Sequence, residues 1–179
     1  MRVLAFVVLA FLAGASAANA AAVWKEYVYL DRGFAIQFPA PPKATTGTYK
    51  STLVKDGLKT DIYTAEDDHV IYRMTVVDLA GRNEAGVNFL GEEAYNLMRT
   101  GDVIFNDVPR VYGDEKAIYG STVVVDQPDG RRVRTSVYYN KGRLFIAEAI
   151  VLPERGDKDM ITPSRFDQTV RFPPDGRFD

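Results

Sequence analysis

Chemistry in this chain has few side chains to draw on, and Glu148 is the first. It lies in Arg132–Leu152, RVRTSVYYNKGRLFIAEAIVL. Two β-branched and aromatic runs there flank Asn140-Lys141-Gly142-Arg143, which predicts a β-hairpin in the middle of an antiparallel sheet. With Lys141-Gly142 as a two-residue loop, Tyr139 faces Leu144, Val137 faces Ile146, Thr135 faces Glu148 and Val133 faces Ile150. That face is apolar except at Thr135 and Glu148. A slip of one residue would mix the two faces, so this register is expected to win. A carboxylate among Val, Ile and Leu has a raised pKa unless it is paired, and such groups concentrate at functional sites. The plainer reading is structural: Glu148 bonds to Thr135, meets an arginine reaching over the sheet, or sits at an end that is not buried.

Two other groups invite a functional reading. His69, the one histidine, follows Glu66-Asp67-Asp68, so Asp67, Asp68 and His69 are the candidates for a divalent metal. A histidine-based zinc site normally takes further nitrogen or sulfur ligands, and three acids in a row usually mark a solvated turn. The cations Arg131, Arg132, Arg134, Lys141 and Arg143 crowd the hairpin. Arg132 and Arg134 share one face with Tyr138 and make a candidate docking surface for an acidic partner. Lys141 and Arg143 fall at the far end, which splits the patch. Edge protection by solvated charge is the bland alternative.

Enzyme motifs are missing. There is no cysteine, no G-x-S-x-G elbow and no G-x-x-x-x-G-K-[ST] or G-x-G-x-x-G phosphate loop. No cofactor is expected. Two-carboxylate hydrolysis or elimination needs a second acid within reach of Glu148, and Asp61 or Asp78 are the ones considered.

The chain that must position these residues has 179 of them, enough for one domain with its own core. Its 46% hydrophobic and 26% charged residues are ordinary for a globular protein. Residues 1–20 read as a signal peptide. Met1-Arg2 precedes the apolar run Val3–Leu12, and Ala13–Ala20 ends in Ala18-Asn19-Ala20, an A-x-A cleavage pattern. Ala15-Ser16-Ala17 fits nearly as well. The apolar run is short for a spanning helix, which needs roughly 20 residues. Residues 21–179 are then expected to form one exported domain, periplasmic or secreted. Removing Arg2 from 22 basic residues leaves 21 against 24 acidic ones. That near-neutral balance argues against nucleic acid and against a strongly basic membrane surface.

Alternation predicts strands at Val23–Leu30 and Phe34–Phe38, divided by Asp31-Arg32-Gly33. Further strands fall at Thr48–Val54 and Leu58–Thr64 around the Asp56-Gly57 turn signal, and at Val70–Leu79 after a turn at Glu66-Asp67-Asp68. Val70–Leu79 is apolar on both faces, so it belongs well inside the sheet. Val87–Thr100 predicts an amphipathic helix with Val87, Leu90, Ala94, Tyr95, Leu97 and Met98 inward, capped from Asn83 or Asn88. Gly91 within it is read as a close packing contact. Glu92 and Glu93 sit early and Arg99 late, in the sense that the helix dipole favours. Val103–Tyr112 is a strand interrupted at Pro109, which places it at an edge or a bulge, and Ile118–Val125 joins the central hairpin as a meander. A short final helix starts at Thr162-Pro163, stapled by Ile161 and Phe166, with Phe166 and Val170 inward and Asp167 paired to Arg171. Pro173–Asp179 is expected to fray. Trp24 is read as a core anchor. The fold class expected is α+β: a twisted antiparallel β-sheet flanked by helices, one amphipathic and mid-chain, one short and C-terminal.

Gly33-Phe34-Ala35-Ile36-Gln37-Phe38-Pro39 resembles the G-F-x-I-x-x-P opening of the PsbP-like group. Hairpins, one helix, a meander and then Ser164–Phe172 (SRFDQTVRF) are similar in order to that group, whose closing pattern is F-x-x-S-F-x-F. Thr169 and Val170 stand where that pattern has Ser and Phe. The resemblance implies a twisted antiparallel sheet flanked by helices. It also implies a non-enzymatic binding or accessory protein, as are most members, a photosystem II subunit and a nuclear Ran-binding factor among them. It carries over no catalytic residue. Three readings follow: an exported accessory protein with an unknown protein or small-molecule partner, a carboxylate hydrolase or lyase using Glu148, and a divalent-metal binder at Asp67, Asp68 and His69.

Overall fold

The computed structural model describes residues 23–67, 69–79, 81–82, 86–112, 116–155 and 161–173. Residues 1–20, read as a leader, and the cap candidate Asn83 lie outside them. Among the described residues ten strands and two α-helices follow in the order β1 (Lys25–Tyr29), β2 (Phe34–Phe38), β3 (Lys43–Ser51), β4 (Val54–Asp67), β5 (Val70–Asp78), α1 (Gly86–Met98), β6 (Asp102–Asp107), β7 (Arg110–Tyr112), β8 (Ala117–Asp126), β9 (Arg132–Asn140), β10 (Arg143–Val151) and α2 (Ile161–Gln168). An eight-stranded antiparallel sheet runs β3-β4-β5-β10-β9-β8-β6, with β7 also on β8. β1 and β2 form a separate ribbon.

The central hairpin adopts the register that alternation predicts: Tyr139 opposes Leu144, Val137 opposes Ile146, Thr135 opposes Glu148 and Val133 opposes Ile150. Each face of the sheet receives its own layer. On one, Val77, Leu79, Val137, Leu144 and Ile146 pack with Phe89 of α1. On the other, Tyr72, Met74 and Phe145 pack under β2 and α2. β2 is buried on both sides: Phe34, Ile36 and Phe38 are fully enclosed, and Ala35 exchanges two backbone hydrogen bonds of 2.9 Å with Arg171. The aromatic layer interlocks, with Phe38 and Phe166 centroids 5.1 Å apart and Phe145 and Phe172 centroids 4.8 Å apart. Trp24 anchors the ribbon as expected, edge-on to Tyr72 at 5.0 Å and covered by the Arg165 guanidinium at 4.8 Å.

Several local expectations fail for identifiable reasons. β1 is shorter than Val23–Leu30, because Leu30–Arg32 turns into a 3-10 helix that closes on Gly33 with φ of 74°. The β3–β4 turn lies at Thr52-Leu53. Gly57, with φ of 72°, instead absorbs a register shift inside β4. A positive-φ glycine serves a bulge as well as a turn, and the earlier turn buries Val54 (6% exposed). The β4–β5 turn likewise comes later than Glu66-Asp67-Asp68: β4 continues through Asp67, and His69 takes a positive φ of 63°.

In α1 the buried face is Gly86, Phe89 and Ala94, while Val87 and Tyr95 are 72% and 60% exposed. A Cβ on Gly91 would meet nothing within 4 Å, so that residue packs against nothing; the crowded glycine is Gly86, against the Tyr139 ring. Asn88 lies within the helix and caps nothing. α2 begins at Ile161, one residue before the expected cap Thr162. Of the expected tail Pro173–Asp179, Pro173 is buried, as is Phe172 before it, and 174–179 lie outside the described residues.

Asp167 does not pair with Arg171, which reaches Glu26 at 2.6 Å. It accepts two hydrogen bonds from Arg134, from Nε at 2.8 Å and Nη2 at 2.9 Å, and a third from Ser136 Oγ at 2.5 Å. Thr122 Oγ1 lies 2.6 Å from Ser136 Oγ. All four residues are buried, so the last turn of α2 is pinned to β9 by a desolvated, fully engaged ion pair. Removing one partner strands the other charge. Asp167→Ala is expected to cost about 3–5 kcal/mol, and Arg134→Met with Asp167→Leu to recover most of it. Urea denaturation of the three variants against wild type measures both steps.

Candidate functional site

The sheet separates the side chains that the sequence offers for chemistry. Glu148 opposes Arg73 across the β5–β10 ladder, on the face that α1 covers. Its Oε2 accepts a long hydrogen bond from Arg73 Nη1 at 3.5 Å. The arginine, not Thr135, is the partner: Thr135 Oγ1 is buried without a hydrogen bond. Burial raises the Glu148 pKa; Arg73 pulls it down and Glu93 of α1 pushes it up.

Glu93 is itself raised, first by burial, even as it accepts a 2.6 Å bond from Tyr49 Oη. That bond and burial drive the Tyr49 phenol well above its ordinary range, burial being the larger cause. Beside it, burial works against the charge of Glu92. Hydrogen bonds from Ser51 Oγ, Thr52 Oγ1 and the Thr52 N–H outweigh burial and hold its pKa below the usual value. Glu92 and Glu93 lie in neither end turn of the helix and therefore do not serve its dipole; they fasten the β3–β4 tip to α1.

Asp61 and Asp78 are on the opposite face. Successive side chains of a strand alternate, and Asp78 opposes Arg143, five residues from Glu148, so the two carboxylates diverge. Glu148 cannot share a substrate with either aspartate through an eight-stranded sheet. Asp61 and Asp78 instead line one cavity of about 180 Å³ with Arg32, Lys59, Val76 and Arg143. Arg32 Nε lies 2.7 Å from Asp61 Oδ2. A second cavity, of about 140 Å³, shares Asp61 and is lined by Ala44, Thr45, Thr46 and Tyr63. Tyr29 lies over Tyr63 at 4.2 Å between centroids, and burial lifts the Tyr29 phenol to about 12.

Of the hairpin cations, the two read as a docking surface are occupied. Arg132 grips Asp126 through Nε at 2.7 Å and Nη2 at 2.8 Å. Arg134 is buried on Asp167, its guanidinium 5.6 Å from the Phe105 ring centre. Tyr138 is 2% exposed, and burial, then the nearby Asp167 carboxylate, pushes its phenol up to about 12. Arg134 and Tyr138 therefore present no surface to a partner. Glu66, Asp67 and His69 line a cavity of about 230 Å³. Among the described residues no three acids or histidines converge as a metal would require; Asp68 lies outside them. The His69 carbonyl accepts a bond from Leu152 N at 2.8 Å, which extends the β5–β10 ladder by one step.

Sequence reasoning missed the Arg32–Lys59–Arg143 grouping. Strand parity alone places Lys59 with Asp61. The pairing of β5 with β10, which adds Arg143, is a long-range contact that no local pattern contains.

No protein-family model matches the chain, and no curated protein matches it in sequence. Among 11 chains of solved structures that match is the solution structure of cyanobacterial PsbP (CyanoP) from Synechocystis sp. PCC 6803. It is 12% identical, with a TM-score of 0.50 over 89% of this chain and 98% of that one. The fold is therefore PsbP-like, an antiparallel sheet with one mid-chain and one C-terminal helix. At that identity the likeness carries the fold alone.

Because burial dominates, the ionised Glu148 is a net liability. A carboxyl whose folded pKa is raised contributes most below its unfolded pKa and loses that contribution as pH rises through the folded value. Glu148→Gln is expected to raise stability at pH 7 by on the order of 1 kcal/mol. The gain should shrink below about pH 4, where both states are protonated. Thermal melts of both proteins across that range provide the check.

Proposed function

We propose that this protein is an exported, non-catalytic accessory protein that binds another protein. The observation that carries this reading is the sheet edge at β6. All six residues of β6 are exposed, and Val103, Ile104 and Phe105 keep 41–45% of their surface in water. Val108 and Tyr119 beside them are 65% and 59% exposed. A strand edge with no partner among the described residues, carrying exposed apolar side chains, is costly to leave open. It suits an extended segment of a partner that adds main-chain hydrogen bonds and fills alternate side-chain positions. The PsbP-like fold is consistent with an accessory role, and the separation of Glu148 from Asp61 and Asp78 gives no support to the carboxylate-enzyme alternative drawn with those two acids.

Export rests on the 1–20 leader. Among the described residues no helix is long and apolar enough to cross a membrane. In a Gram-negative host the mature protein is expected in the periplasmic fraction with its N-terminus at Ala21, or at Ala18 if cleavage follows Ala17. Intact-mass measurement decides between them, and an uncut chain in the cytoplasm removes the export reading. For the partner, crosslinking in periplasmic extract is expected to yield one defined adduct, lost in Ile104→Asp and Val108→Asp and kept in Glu148→Gln. An adduct indifferent to both edge substitutions, or a turnover that Glu148→Gln abolishes, would sink the proposal.

A further inference from the structure

The cavity between β4, β5 and β10 is built to hold charge that the fold does not itself supply. Lys59 and Asp61 of β4, Val76 and Asp78 of β5 and Arg143 of β10 project to one face, and Arg32 closes the wall from the 3-10 turn. Three cations thus meet two carboxylates. Asp61 forms an ion pair with Arg32, Nε to Oδ2 at 2.7 Å, and Asp78 is also engaged. Lys59 and Arg143 make no ion pair among the described residues. The Arg143 guanidinium lies against the left-handed Gly33 turn, where a Cβ would stand 3.7 Å from Nη1. That turn and the sheet flank the guanidinium and limit where its fork can point.

We propose that this cavity is a binding site for a small oxyanion, the carboxylate or phosphate group of a small molecule, held by Arg143 and Lys59. A guanidinium fork matches either group in bidentate geometry, and an ammonium adds a flexible point charge. Cations on a concave wall focus the field that draws an anion in. The volume, about 180 Å³, is that of roughly six waters at about 30 Å³ each, which fits phosphate or a small organic acid. Asp61 and Asp78 limit the charge that the site accepts, so long polyanions are excluded. Val76 gives the floor an apolar contact. The site lies away from the β6 edge and does not depend on the protein-docking reading; Val108→Asp should leave it intact.

Isothermal titration of the mature protein with inorganic phosphate and, separately, with succinate in low-salt buffer tests the assignment. Saturable binding of at least one is expected, weakened tenfold or more in Arg143→Gln and in Lys59→Gln, unchanged in the exposed control Lys50→Gln and partly restored in Arg143→Lys. Binding of phosphate alone assigns the group as phosphate, and of succinate alone as carboxylate. Thermal melts establish that each variant is folded, and Lys59→Gln decides the matter if Arg143→Gln is not. No saturable binding of either anion, or binding that survives both substitutions, overturns the proposal.

Discussion

A guanidinium and a carboxylate almost cut off from water hold the two sides of this protein together. Arg134 is on β9, between β10 and β8 in the sheet; Asp167 is in the last turn of a helix of only eight residues. A carboxylate there opposes the helix dipole, and a helix so short has little stability of its own. The fork of Arg134 and the Ser136 hydroxyl supply what the helix lacks. Once α2 is fixed, Phe166 closes on Phe38 and Tyr72, and the chain beyond leads Arg171 back to Ala35. The β1–β2 ribbon, which pairs with no strand of the large sheet, keeps its place through that return. Replacing the pair with hydrocarbon could match it in energy, but the directional bonds fix which turn of α2 meets which residue of β9.

Much of this architecture was legible locally. The central hairpin, with one face apolar and the other mixed, specifies its own register, because any odd slip would expose Ile146 and Ile150. The break at Pro109 likewise divides β6 from β7 as expected. What failed were choices between local options of similar cost. Asp56-Gly57 is a turn signal, yet its positive φ served a bulge once Val54 and Tyr49 were drawn into the core. Phe89 replaced Val87 and Tyr95 on the inner face of α1, since a stripe drawn through Leu90 and Leu97 can be rotated either way by one large ring. These are outcomes of packing, and packing depends on partners distant in sequence.

The candidate site was less legible for the same reason. Glu148 stood out because one strand pair showed it out of place. Its consequence needed β5 beside β10, which supplied Arg73 to Glu148 and Arg143 to the cavity on the other face. One ladder thus decided two questions. It paired the carboxylate that had suggested catalysis, and it placed a cation among Asp61, Asp78 and Lys59 where periodicity offered no hint. The basic cluster of the hairpin was misleading for the converse reason: Arg132 and Arg134 found acids at Asp126 and Asp167 that the sequence places 6 and 33 residues away.

The two faces therefore treat charge in opposite ways. On the α1 side the carboxylates crowd: Glu93 is close enough to push the Glu148 pKa up, Glu92 does the same to Glu93, and Arg73 meets Glu148 at a distance that gives a weak bond. In the cavity on the other side the surplus is basic, three cations against Asp61 and Asp78. A chain with nearly balanced charge could have cancelled these locally. Parity within β10 forbids it: Arg143 and Glu148 are separated by an odd number of residues, so they project to opposite faces. The sheet keeps them apart as long as the register holds, and the register is held by Leu144 and Ile146 against α1 and by Phe145 against Phe34 and Phe172. The hydrophobic layers thus set not only stability but also the sign of the charge each face presents.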